Sequence, residues 1–226
     1  MNKEPIKILI EKKGIITIFE EQLLKEKNAC EIEIIVGSEA RVTYITQNTN
    51  KKIKRTATVH TDAEIIWFDF NEGEGHVESE IITKLVEPGG RGETYGLFYG
   101  KNKTQFIISH ITEHLAPNTH SIMETKGVLD DHSRAAMRSL IKIYPMMNGC
   151  TGHERADTLL LSNDAHIDAV PDLEISNNDV QCTHAVTTTR LNPEKLFYLT
   201  GRGLDEDEAR KLLVDAHLNS ILEKLD

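Results

Sequence analysis

Period-two alternation, broken every few residues by Gly, Asn or Asp, constrains this chain more than any other feature of its sequence. Glu31-Ile32-Glu33-Ile34, Arg41-Val42-Thr43-Tyr44-Ile45, Thr56-Ala57-Thr58-Val59, Glu78-Ser79-Glu80-Ile81-Ile82 and Asp172-Leu173-Glu174-Ile175 each alternate apolar with polar. In a strand successive side chains point to opposite faces, so these stretches predict many short, half-buried strands. Two-residue hairpin signals do not separate them. Instead an Asn/Asp-Ala step opens a strand at Asn28-Ala29, Asp62-Ala63 and Asp164-Ala165, with Asn178-Asp179-Val180 as a variant. A recurring strand unit fits stacked rungs, each burying its face against its neighbours. A β-sandwich also has regularly spaced strands. Periodicity alone favours the solenoid only slightly.

The 226 residues suffice for one sizeable core or two small domains. Aromatics are 5% of the chain, so the core must rest on Ile, Leu, Val and Ala. A formal net charge of -10 argues against a nucleic-acid partner, which needs a basic face, and suits proteins or cations. Met1-Asn2-Lys3-Glu4-Pro5 does not start a signal peptide, and runs such as Ile65-Ile66-Trp67-Phe68 are too short to span a membrane. Three widely spaced cysteines, Cys30, Cys150 and Cys182, fit a reducing cytoplasm better than a disulfide framework.

Pro88-Gly89-Gly90-Arg91-Gly92 and Ala116-Pro117-Asn118 read as loops, and the former lacks the order of a phosphate-binding loop. The end of the chain changes character. Asn192 caps a short helix with Pro193 at its first position, and Gly201-Arg202-Gly203 ends it. Asp205 and Glu208 form a capping box for a second helix, whose expected apolar stripe is Ala209, Leu212, Leu213, Ala216 and Ile221. One or two helical turns are expected between Glu20 and Lys27. The expected division is an N-terminal segment 1–27, a β-body 28–191 and a helical tail 192–226.

Two stretches carry a family resemblance. One is His114-Leu115-Ala116-Pro117-Asn118-Thr119-His120-Ser121, followed by Lys126-Gly127-Val128-Leu129-Asp130-Asp131-His132-Ser133-Arg134. The other runs from Asp157-Thr158-Leu159-Leu160-Leu161-Ser162 through Asp164–Ile175 and Val180-Gln181-Cys182-Thr183-His184 to Leu196–Leu204. In order and spacing these blocks resemble the C-terminal half of the SufB/SufD family of iron–sulfur cluster assembly proteins. The resemblance implies a right-handed parallel β-helix with a short C-terminal helical hairpin. It also implies a partner, the ABC-type ATPase SufC, docking on those helices, and a homodimer or SufB/SufD-type heterodimer joined by its late strands. The implied work is non-enzymatic: a transient iron–sulfur cluster is assembled near a subunit interface, and no nucleotide binds this chain.

Period two places Val180, Cys182, His184 and Val186 on one side of a strand, with Cys182 and His184 about 7 Å apart. A thiolate and an imidazole so placed could ligate iron together; two flanking valines equally fit a core. The family's D-type members are similar in carrying Cys-x-His here. B-type members carry a cysteine where this chain has Ala156, and carboxylates where it has Thr183 and Ala185. Cys150 reads as an unpaired surface cysteine in a loop, and Cys30 as core on a strand. His110 and His114 share a strand face about 13 Å apart, too far for one metal, and read as turn and rung residues. His153, Glu154 and His166 are weak candidates. Tyr198, Arg202, Asp205 and Glu206 are the candidate ATPase-docking residues, or else a solvated helix face. Two other functions compete: a purely structural dimerising β-helix with no cluster site, and a β-helix carbohydrate-active enzyme. No clustered acids and bases of a lyase and no strict six-residue repeat of an acyltransferase can be found.

Overall fold

The computed structural model describes residues 5–26, 30–48 and 52–225. The chain runs β1 (Ile6–Ile10), β2 (Ile15–Phe19), α1 (Glu20–Glu26), β3 (Glu31–Val36), β4 (Arg41–Asn48), β5 (Lys52–Val59) and β6 (Glu64–Glu72). It continues β7 (His76–Leu85), β8 (Arg91–Gly100), β9 (Gln105–His114), β10 (His120–Leu129), β11 (Arg134–Ile143) and β12 (Cys150–Leu160). Strands β13 (His166–Ile175) and β14 (Val180–Arg190) precede α2 (Pro193–Thr200) and α3 (Glu206–Leu222).

Every odd strand lies in one seven-stranded sheet and every even strand in a second, in chain order. All neighbours pair in parallel, each strand with the one two positions on. Parallel neighbours cannot be joined by a hairpin, so the chain winds from sheet to sheet. The fold is a parallel β-helix of about six turns, not an antiparallel sandwich. Both sheets already contain the N-terminal strands: β1 pairs with β3 and β2 with β4. The helical turns expected near Glu20 are α1.

Asp62-Ala63, one step of the sequence echo, belongs to a stacked corner of the helix, whereas Asp164-Ala165 opens β13 at the opposite corner. Glu39, Asp62, Gly89, Asn118 and Gly149 all have φ between 50° and 77°. Each is followed by a small or short buried residue: Ala40, Ala63, Gly90, Thr119 and Cys150. The turns stack through backbone bonds such as Glu39 N to Thr61 O (2.8 Å), Asp62 N to Pro88 O (3.1 Å) and Asn118 N to Asn148 O (2.8 Å). Asn28-Ala29 lies outside the described residues.

This corner overturns the reading of Cys150 as a surface thiol. Cys150 fills the small inward position after the left-handed Gly149 and is fully buried, with Sγ 3.2 Å from Thr119 Oγ1. Cys30 is corrected the other way. It occupies an exposed bend just ahead of β3, outside the core.

The tail matches its cap signals. The Asn192 side chain accepts from the Glu194 and Lys195 amides, and the Asp205–Glu208 capping box is present. The apolar stripe of α3 is rotated from the expected one. Ala209, Val214, Leu218 and Ile221 are buried, whereas Leu212 and Ala216 are exposed. Val214 and Leu218 pack on Val128 and Leu159, and Ile221 packs on Phe68 and Tyr95, so the outer face of the even sheet selects the helix face.

The interior is not uniformly apolar. His110 and His114 both point inward from β9 and are fully buried, His114 bonded to Thr119 Oγ1 (2.8 Å) and Ser121 Oγ (2.9 Å). Neither is a turn residue. Burial, then the charge of His120, lowers the His114 pKa from 6.5 to about 4. As pH falls from 6.5 towards 4 the unfolded chain takes up this proton and the folded chain refuses it. Stability present above pH 6.5 is therefore lost over that window, by about 3 kcal/mol. Urea unfolding across this range should show that loss, and His114→Gln should flatten the slope.

Candidate functional site

The last rung leaves the helix open. Strands β13 and β14 each end a sheet, so one edge of each lacks a strand partner among the described residues. Register shows what the open end displays. Val180, Cys182, His184 and Val186 stack on Cys150, Gly152, Glu154 and Ala156 of β12, all buried and inward-facing. The four β14 residues therefore also face the helix axis, with no further rung above them among the described residues. Cys182 is half-buried beside Leu173, Val180 and Cys150, and His184 is exposed.

The environments of these groups differ. Burial, reinforced by nearby Cys150, pushes the Cys182 thiol up, although a bond with the Gly152 backbone opposes this. Iron must therefore displace a proton to bind it, since the thiolate is the ligand. Directly beneath His184 sits Glu154, 4% exposed. Burial pushes its carboxyl up, against a bond donated by Ser139 and the neighbouring His184 and His110. Sequence inspection ranked Glu154 among the weak candidates. Its signal was its phase: alternation puts it on the inward face between Gly152 and Ala156. His153, by contrast, points outward to Thr183, and His166 is exposed at the start of β13. Among the described residues no three His, Cys, Asp or Glu side chains are grouped to hold a metal ion. Cys182 and His184 thus offer two donors, fewer than the four ligands of a common cluster.

The helical hairpin is the second feature. Helix α3 is anchored on the even sheet, whereas α2 buries none of its eight residues. Phe197 is 78% and Tyr198 59% exposed, and Arg202 lies over the Tyr198 ring, 5.2 Å from its centroid. Asp205 is engaged in the capping box, and Glu206 binds Arg210 one turn on. Of the four expected docking residues, Tyr198 and Arg202 form one exposed unit with Phe197 alongside. Sequence reading had placed Phe197 on the helix without a role.

Residues 2–217 match the family model described as "SUF system FeS cluster assembly, SufBD core domain". This chain belongs to the SufBD family. Similar proteins include iron–sulfur cluster assembly SufBD family proteins of Staphylococcus saprophyticus and Staphylococcus haemolyticus, each 27% identical over 200 residues. One from Staphylococcus aureus is 26% identical over the same length. Each alignment covers 86% of this chain and 43% of the relative, so the SufBD chain described here spans less than half the length of those proteins. No helix is long and apolar enough to cross a membrane among the described residues.

Proposed function

We propose that this SufBD chain is a non-enzymatic partner subunit of iron–sulfur cluster assembly, docked through residues 192–226 on a SufC-like ABC ATPase in the cytoplasm. The observation that carries this reading is α2, a helix with no fully buried residue that displays Phe197 and Tyr198. Large apolar side chains beside an Arg are the composition of an interface centre. Nucleotide hydrolysis belongs to the ATPase. Its test is capture of the host's own ABC-type ATPase by the intact chain, and loss of that capture when the α2 aromatics are truncated.

The open end supplies the second part of the proposal. Cys182 and His184 are donors for a nascent cluster, carried as cargo, and a second chain meeting β13 and β14 would complete the ligand set. Such a junction, in a homodimer or a SufB/SufD-type heterodimer, would also cover two edges that otherwise invite aggregation. Anaerobic incubation with Fe²⁺ and sulfide should produce visible charge-transfer absorption that His184→Ala removes. Ala156, Thr183 and Ala185, where B-type members carry ligands, favour the structural reading instead if the protein stays colourless.

A further inference from the structure

The interior of the β-helix carries a polar file that the proposed function does not use. Asp69, with no exposure, accepts from Thr46 Oγ1 (2.9 Å), Ser79 Oγ (2.9 Å) and Asn71 Nδ2 (2.9 Å). Its fourth partner is His110 Nε2 at 2.9 Å. A carboxylate only accepts, so His110 carries a hydrogen on Nε2, which leaves Nδ1 as a second polar atom that needs a partner. Nδ1 has no hydrogen-bond partner among the described residues. The same holds for Thr125 Oγ1 and Glu154 Oε2. All three residues are at least 96% buried.

These orphaned atoms belong to one neighbourhood. Gly96 separates His110 from Thr125: a Cβ built there would stand 2.9 Å from His110 Cε1 and 2.8 Å from Thr125 Oγ1. Ser139, which donates to Glu154, is the register neighbour of His110. Ala156, two residues after Glu154 and on the same inward face, is the register neighbour of Thr125. A buried polar atom left unpaired costs about 1–3 kcal/mol, so each of the three needs a partner in a native core.

We propose that an internal water molecule is bound between His110, Thr125 and Glu154. It bonds His110 Nδ1, Glu154 Oε2 and the Thr125 hydroxyl, the three bonds typical of a buried water. The missing side chain at Gly96 is what lets His110 and Thr125 close in on each other over its backbone. The water joins two hydrogen-bonded groups that are otherwise separate, Asp69–His110 and Glu154–Ser139. One polar spine then runs along the helix axis to the carboxyl beneath His184.

Magnetic relaxation dispersion of water oxygen-17, which counts waters held long inside a protein, tests this on the intact chain. The count should fall by one in Gly96→Ala, whose methyl pushes His110 and Thr125 out of place, and in Thr125→Val, which keeps the volume and removes the hydroxyl. It should be unchanged in Thr125→Ser. Equal counts in wild type and both folded variants overturn the proposal. A high-resolution crystal map of the wild type decides the matter even if the variants fail to fold. Density bridging the three side chains supports the site, whereas His110 Nδ1 bonded directly to protein refutes it.

Discussion

Glu20→Ala should destabilise the protein by about 3–5 kcal/mol, the cost of removing one partner from a buried ion pair. Arg55 is fully buried, and both Nε and Nη2 (2.7 Å to Oε1) bond the Glu20 carboxylate. Nη2 also reaches Asn48 Oδ1 (2.7 Å), and Nη1 reaches Ser79 Oγ (3.0 Å). Burial opposes the charge on Arg55, yet the bonds and charge of Glu20, with the charge of Asp69, hold its pKa above the ordinary value. Truncating Glu20 leaves a guanidinium inside the β-helix without its main counter-charge. It also frees Tyr44, whose hydroxyl donates to Glu20 (3.1 Å). The paired replacement Glu20→Leu with Arg55→Met should recover most of the loss, because it removes the buried charges together. Exposed pairs behave differently. Lys7→Ala, which breaks the exposed bridge to Glu33, should change stability by about 1 kcal/mol or less. Urea unfolding midpoints, at constant slope, measure all three.

Phe197→Ala with Tyr198→Ala should weaken ATPase binding by roughly a hundredfold or more, about 2 kcal/mol being usual for one interfacial hot spot and 1.4 kcal/mol being tenfold. Neither ring is buried in this chain, so its own stability should move by about 0.5 kcal/mol or less. That separation makes the double substitution more informative than deleting residues 193–226. Deletion would strip Val214, Leu218 and Ile221 from the even sheet and uncover Val128, Leu159 and Phe68. Titration calorimetry, with thermal unfolding of the same samples, distinguishes lost contact from lost fold.

What the sequence revealed follows from how local each signal is. Alternation marked the strands because one face of each inner rung is buried. The caps at Asn192 and Asp205 were legible because a cap is completed within three residues. The stripe of α3 was misplaced because Leu212 and Val214 are both apolar. Only the sheet beneath decides between them. Cys150 was misread because Asn148-Gly149 looks like a surface turn, whereas at this corner the stacked turns put the residue after the left-handed position inside. Arg55 sits in phase with Ile53 and Ala57, so alternation alone already pointed it inward. Its partner Glu20 lies 35 residues away on another element, and no local pattern connects them. The candidate site was legible as a Cys-x-His strand. That this strand is the last rung, so that His184 faces the axis and yet meets solvent, depends on the number of turns.

Hydrogen exchange of the full chain with and without the ATPase tests the central claim most directly. Protection on addition of the ATPase should appear in the amides of residues 193–204 and be absent from the turn corners of the β-helix. Stable ATPase binding that leaves exchange in 193–204 unchanged, or a folded chain that binds no ATPase at all, would contradict it.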